Sequence, residues 1–127
     1  MSKKMIAEIT DPMEKLTVVE VSLSEDTQCV IDILSRYLFE TSVLNTPIEQ
    51  PLSAKDMCDL MLKAQDESYG DGLDKNYRHP YMWLCKGHYY SAGLNFYNWP
   101  YAFGLLYGKG LYKQYLKNKE ELLAVAL

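Results

Sequence analysis

The sequence lacks the residues from which most metal and nucleophile sites are built. Its 127 residues hold only two histidines, His79 and His88. No His-Glu-x-x-His pair occurs, so a zinc site of that class cannot form within the chain. A Gly-x-Ser-x-Gly elbow and a phosphate-cradling glycine loop are also missing. Cys29, Cys58 and Cys85 are odd in number and widely spaced. With no CxxC pair, they argue against a zinc knuckle or a disulfide framework, and read as reduced, small apolar residues in the cytosol. No run of about 18 apolar residues is present, so no transmembrane helix and no membrane partner is expected. The opening Met-Ser-Lys-Lys-Met-Ile-Ala-Glu has lysines without an apolar run behind them, unlike a signal peptide. A basic stripe is absent too. The net charge is -4 with acids and bases interspersed, which argues against nucleic acid as a partner.

What the chain does have is tyrosine. Residues 77–107 contain both histidines, both tryptophans and seven of the eleven tyrosines, against three phenylalanines in the whole sequence. Phenols beside imidazoles can present hydrogen-bond donors to a polar ligand: His88, Tyr89, Tyr90, Tyr97 and Tyr101 are the candidates. Preorganised donors of this kind stabilise a developing oxyanion or hold a peptide backbone. The competing reading is that the rings pack the core and only their hydroxyls reach water. His79, before Pro80, reads as a cap or a solvated residue. Cys85, three residues before His88, is conceivable as a nucleophile pair with it, but such partners normally meet through space.

The chain reads as all-α. Residues 1–12 read as a frayed leader ending in Asp11-Pro12, a turn or helix-start signal. Ser22 and Glu25 fit a capping box, and Val30, Ile31, Leu34, Tyr37 and Leu38 follow an amphipathic stripe. Residues 16–23 alternate as a strand would, yet a helix is the preferred reading. Thr46-Pro47 and Gln50-Pro51 make 43–52 a connection. Ser53 is the N-cap of the next helix, with Asp56 at N3 and an apolar face of Met57, Leu60, Met61 and Ala64. Gly70 and Gly72 end it in Tyr69-Gly-Asp-Gly-Leu-Asp74, a solvated turn without calcium-loop spacing. Pro80 can start a short turn that Lys86-Gly87 breaks. The last helix begins near Asn98 with Pro100 in its first turn. The predicted helices are 22–41, 53–67 and 98–116. Gly104, Gly108 and Gly110 are costly inside a helix, and the spacing of the first two suggests another backbone or a ligand passing close.

Several blocks resemble the oligoendopeptidase F family of thimet-oligopeptidase-like zinc metalloendopeptidases. They are Thr27-Gln-Cys-Val-Ile-Asp-Ile-Leu-Ser-Arg-Tyr-Leu-Phe-Glu40, Leu52-Ser-Ala-Lys-Asp-Met-Cys-Asp-Leu-Met-Leu-Lys-Ala-Gln65, Tyr69-Gly-Asp-Gly-Leu-Asp74, His79-Pro-Tyr-Met-Trp83, Lys86-Gly-His-Tyr-Tyr90 and Phe96-Tyr-Asn-Trp-Pro-Tyr-Ala-Phe-Gly-Leu-Leu106. The resemblance covers about residues 14–117. It implies a largely helical bowl around a substrate channel and hydrolysis of short peptides. The family's zinc motif and third, glutamate ligand lie upstream of the matching region. On this resemblance, residues 13–127 are the C-terminal helical part of such a catalytic domain.

The resemblance implies catalytic roles for His88 and Tyr97 in stabilising the tetrahedral intermediate, and substrate-binding roles for Tyr90 and Tyr101. It implies zinc in the full-length enzyme, with no metal ligand in this chain and none bound by it alone. The partner would be an oligopeptide, the compartment the cytoplasm, and the piece by itself inactive. The alternative is a small all-helical module that self-associates or binds peptides without catalysis. A segment cut from a bowl exposes apolar faces, so a homodimer is an expectation of both readings.

Overall fold

The computed structural model describes residues 3–118, so Met1, Ser2 and the last stretch, 119–127, lie outside the described residues. Among the described residues every regular element is helical and no strand occurs. Lys3–Glu8 forms a short helix, α1, inside the expected leader. Asp11 then caps α2, Pro12–Thr27, by accepting a hydrogen bond from the Met13 N–H, with Pro12 in the first turn where its missing donor costs nothing. Residues 16–23 are therefore helical. Ser22 is not a cap. It lies inside α2, because the Asp11-Pro12 signal already starts the helix ten residues earlier.

Helical backbone continues without a break from α2 through a π-turn, Gln28–Asp32, into α3, Ile33–Leu44. The wide turn takes up one extra residue and rotates everything after it. The predicted stripe is consequently out of phase with the buried face. Leu34 and Tyr37 are exposed, whereas Asp32, Ile33, Ser35, Phe39 and Glu40 are buried. Three of those five are polar, so hydropathy gave no sign of which face turns inward.

The connection to α4, Ala54–Tyr69, is the expected one, and the Ser53–Asp56 capping box forms in both directions. The α4 face packs on α3. Phe39, Met61 and Ala64 make the buried core, ringed by Leu38, Val43, Met57, Leu60, Met82, Trp83 and Tyr89. Gly70 closes α4 at φ +54°, a conformation that favours glycine.

Gln65, on the inner face of α4, secures the segment that follows. Its Nε2 donates to the His79 carbonyl at 2.9 Å, and its Oε1 accepts from the His79 N–H at 3.0 Å. Arg78 adds an ion pair to Asp66 at 2.5 Å. The function of His79 in the fold is thus carried by its backbone. Gln65→Ala strands both backbone groups and is expected to cost about 1–3 kcal/mol. The check is a urea midpoint together with faster amide exchange at His79, and unchanged exchange there would show that the clamp is idle.

Short 3₁₀ turns at Met82–Cys85 and Gly87–Tyr90 flank the extended Lys86, so the chain breaks where Lys86-Gly87 suggested. The last helix, α5, is Trp99–Lys117. No buried residue occurs on α5, and none on α2. Among the described residues no backbone passes close to the α5 glycines: a Cβ built on Gly104, Gly108 or Gly110 would meet nothing within 4 Å. No helix of the described residues is long and apolar enough to cross a membrane.

Candidate functional site

Asp32, at the end of the π-turn, and Arg36 and Glu40 on α3 lie on successive turns, an i, i+4, i+8 row. Asp32 and Arg36 form an ion pair that is almost buried, and Tyr69 from α4 donates its hydroxyl to the other Asp32 oxygen at 3.3 Å. Burial first, then Asp32, pushes the Tyr69 phenol up to about 12. Arg36 reaches across to the start of α5 and donates to Asn98 Oδ1 at 3.3 Å. Asn98 is buried and makes no capping bond of its own. Its Nδ2 instead lies 2.9 Å from His88 Nε2.

This chain of contacts determines the state of His88. A guanidinium has only donors, so Asn98 must turn its oxygen to Arg36 and its amide hydrogens to the imidazole. His88 Nε2 then accepts, and the ring proton resides on Nδ1. Charging the ring would set two donors against each other. Burial holds the imidazole below its ordinary value; Glu40 opposes this, and Arg36 and Lys86 add to it. His88 is therefore a neutral Nδ1–H donor, half-buried and tied by a relay to the core of α3.

The linkage has a definite sign. The folded form resists a proton that the unfolded chain accepts near pH 6.5. Stability from this source is complete above that pH and falls as pH drops from 6.5 through the lower folded value. In a His79→Gln background, where His88 is the sole histidine, the urea midpoint is expected to fall across this window. His88→Gln should flatten the fall, and equal slopes in the two proteins would assign it elsewhere.

Around the imidazole stand the tyrosines. The Tyr97 ring centroid lies 5.9 Å from that of His88, and the Tyr97 and Tyr101 hydroxyls are 3.4 Å apart. That contact raises the Tyr101 phenol above its ordinary value. The structure thus brings His88, Tyr97 and Tyr101 together on an open surface. Tyr90 is directed elsewhere: its exposed hydroxyl donates to the Trp83 carbonyl at 3.2 Å. Tyr89 turns inward against Phe39, at 5.2 Å between centroids, and its buried hydroxyl has no hydrogen-bond partner among the described residues. Burial drives its pKa well upward. Tyr89 therefore follows the core reading and Tyr97 the surface one. Cys85 Sγ sits 4.0 Å from the Tyr81 carbonyl, while His88 Nε2 is engaged by Asn98, so the two form no nucleophile pair.

Glu40 completes the site from below. Its Oε1 accepts from the Phe96 N–H at 2.8 Å, holding the one non-glycine residue with positive φ among the described residues, +56°. Phe96 in turn lies 5.4 Å from Tyr37. A shallow dimple lined by Arg36, Tyr37, Glu40, Phe96, Asn98 and Trp99 opens beside the imidazole. Tyr37, expected on the buried stripe, is half-exposed at its edge.

The sequence reading missed Asp32, Arg36, Glu40, Tyr69 and Asn98. The available signal was the four-residue recurrence of charge at 32, 36 and 40 inside an otherwise apolar helix. Among the described residues no three of His, Cys, Asp and Glu gather to hold a metal ion. No family model matches the chain, and neither a curated protein nor a solved structure matches it.

Proposed function

We propose that this chain is the C-terminal helical segment of a zinc metalloendopeptidase of the oligoendopeptidase F kind, one that hydrolyses short peptides in the cytoplasm. In this reading it supplies substrate-binding and oxyanion-stabilising donors to a bowl-shaped domain, and is inactive alone. The observation that carries the proposal is the hydrogen-bonded relay from Arg36 through Asn98 to His88 Nε2, which assigns the ring proton to Nδ1. The Arg36–Asn98 relay leaves Nδ1–H as a neutral donor, within reach of the same open surface as Tyr97. His88 and Tyr97 would donate to the carbonyl oxygen of the scissile peptide as it gains charge. Tyr101, hydrogen-bonded to Tyr97, would hold the peptide backbone, and Tyr90 would join it only by releasing the Trp83 carbonyl.

In the intact enzyme, His88→Ala and Tyr97→Phe are each expected to lower kcat by about 10²–10³, the usual effect of losing one such donor. Zinc content should stay unchanged. Tyr77→Phe, on a strongly exposed ring, is the silent control. If Tyr97→Phe matches that control, its hydroxyl takes no part; if His88→Ala loses zinc, His88 is a ligand and the role assigned here is wrong. A second reading, a self-associating helical module without catalysis, is favoured by the absence of any buried residue on α2 and α5.

A further inference from the structure

The two helices without a buried residue meet at one point, where the Lys109–Asp26 ion pair joins the end of α2 to the middle of α5. Each turns one side toward its own chain. Val18, Val19, Ser22 and Asp26 are the half-buried residues of α2, and Ala102, Leu105 and Tyr115 those of α5. A second set of positions on each helix has a regular spacing. On α2, Met13, Leu16, Glu20, Leu23 and Thr27 recur at steps of three and four. On α5, Trp99, Phe103, Leu106, Gly110, Lys113 and Lys117 do the same. These are the a/d steps of a helix seam made to meet another helix.

All six large apolar residues in the two seams are more than half exposed. They are also preorganised. Trp99 meets Phe103 edge-on at 5.6 Å, and Phe103 stacks on Tyr107 at 5.6 Å, so the aromatic row is already ordered before anything covers it.

Charge identifies the occupant. The α2 helix carries Glu14, Glu20, Glu25 and Asp26 against a single lysine, Lys15. The α5 helix carries Lys109, Lys113 and Lys117 and no acid. Glu20 sits between Leu16 and Leu23 in the α2 seam, a costly place for a carboxylate unless a cation faces it. Lys113 and Lys117 occupy the matching polar end of the α5 seam. At 1.5 Å per residue the helices are about 24 and 28 Å long, so either can cover the other. A chain that carries both a seam and its complement offers each to a second copy across a two-fold axis.

We infer that the α2–α5 face is the docking surface for a second copy of this chain, with α5 of each copy seated on α2 of its partner and Glu20 paired with Lys113 or Lys117 across the interface. The inference stands apart from the peptidase reading. It concerns a different face and is read out as mass, so either can fail without the other.

The test uses the full chain in sedimentation equilibrium from micromolar to hundred-micromolar concentration. The expected mass is twice 14.7 kDa. Glu20→Lys alone, and Lys113→Glu with Lys117→Glu, should each weaken dimerisation at least about tenfold by placing like charges together. Mixing the two variants should restore a dimer, because each then offers the charge the other lacks. A monomer throughout, or charge variants that dimerise as well alone as the wild type, overturns the inference. Carbodiimide coupling of mixed light and nitrogen-15-labelled wild-type chains provides a readout independent of variant folding. A Glu20–Lys113 or Glu20–Lys117 peptide joining light to heavy chains is expected, and its absence counts against the proposed pairing.

Discussion

Phe39→Ala is expected to abolish the cooperative thermal transition. Phe39 is 2% exposed and belongs to a buried apolar core that, among the described residues, comprises only Ile33, Phe39, Met61 and Ala64. Truncating a buried phenylalanine costs about 3–5 kcal/mol, from lost transfer energy and from the cavity left behind. Total stability for a domain of this size is commonly about 5–15 kcal/mol. A core this small belongs at the low end of that range. Phe39 also supports Tyr89, whose ring leans on it and whose neighbour is His88. The loss would therefore spread from the α3–α4 interface to the site. Circular dichroism on heating checks this: a broad, sloping trace is expected for Phe39→Ala and a displaced but sigmoidal one for Phe39→Leu. A melt for Phe39→Ala within a few degrees of the wild type would show that the core lies elsewhere.

Arg36→Met is expected to be nearly as severe, for a different reason. The Asp32 and Arg36 side chains are 11% and 13% exposed, so removing the guanidinium leaves an almost buried carboxylate without its cation. Breaking such a pair from one side costs about 3–5 kcal/mol, although replacing both partners by apolar groups can be neutral. The double variant Asp32→Leu with Arg36→Met should therefore recover much of the lost stability. It should not recover the site. Without Arg36, nothing orients the Asn98 amide, and the His88 proton is no longer confined to Nδ1. Urea unfolding separates the two proteins, and nitrogen-15 shifts of the imidazole report the tautomer. If the single variant is as stable as the double, the ion pair has little structural weight; if His88 keeps its tautomer in both, the relay through Asn98 is not what sets it.

The parts legible in the sequence were those governed by neighbours along the chain. Ser53 and Asp56 start α4 through contacts three residues apart, Gly70 ends it through its own backbone, and Pro100 marks the beginning of α5. The apolar face through Met61 and Ala64 was readable because α4 is an undistorted helix. What escaped depends on partners distant in sequence. The π-turn at 28–32 shifts α3 by a residue, which no count at 3.6 residues per turn anticipates. Gln65 looks like any polar helix residue until His79 is brought beside it, 14 positions later. The last helix was expected to begin near Asn98, which instead lies just before α5, and its side chain serves Arg36 and His88 rather than the helix end. At the site, the expectation singled out the tyrosines for their number. The structure divides them by burial, with Tyr89 inside and Tyr97 and Tyr101 outside.

The π-turn also bears on how the chain tolerates change in length. A five-residue turn within an otherwise α-helical rod is equivalent to a single inserted residue, stored where its cost is offset by the contacts it aligns. Deleting one residue between Gln28 and Val30 would let the rod relax into uniform α-helix. It would also rotate α2 by about 100° relative to α3, since each residue turns a helix by that amount. The Asp32–Arg36–Asn98–His88 relay would survive, because all its members lie beyond the deletion, while the outward seam of α2 would swing away from α5. A length change too small to alter secondary structure would thus preserve the His88 relay while parting α2 from the Lys109 contact on α5.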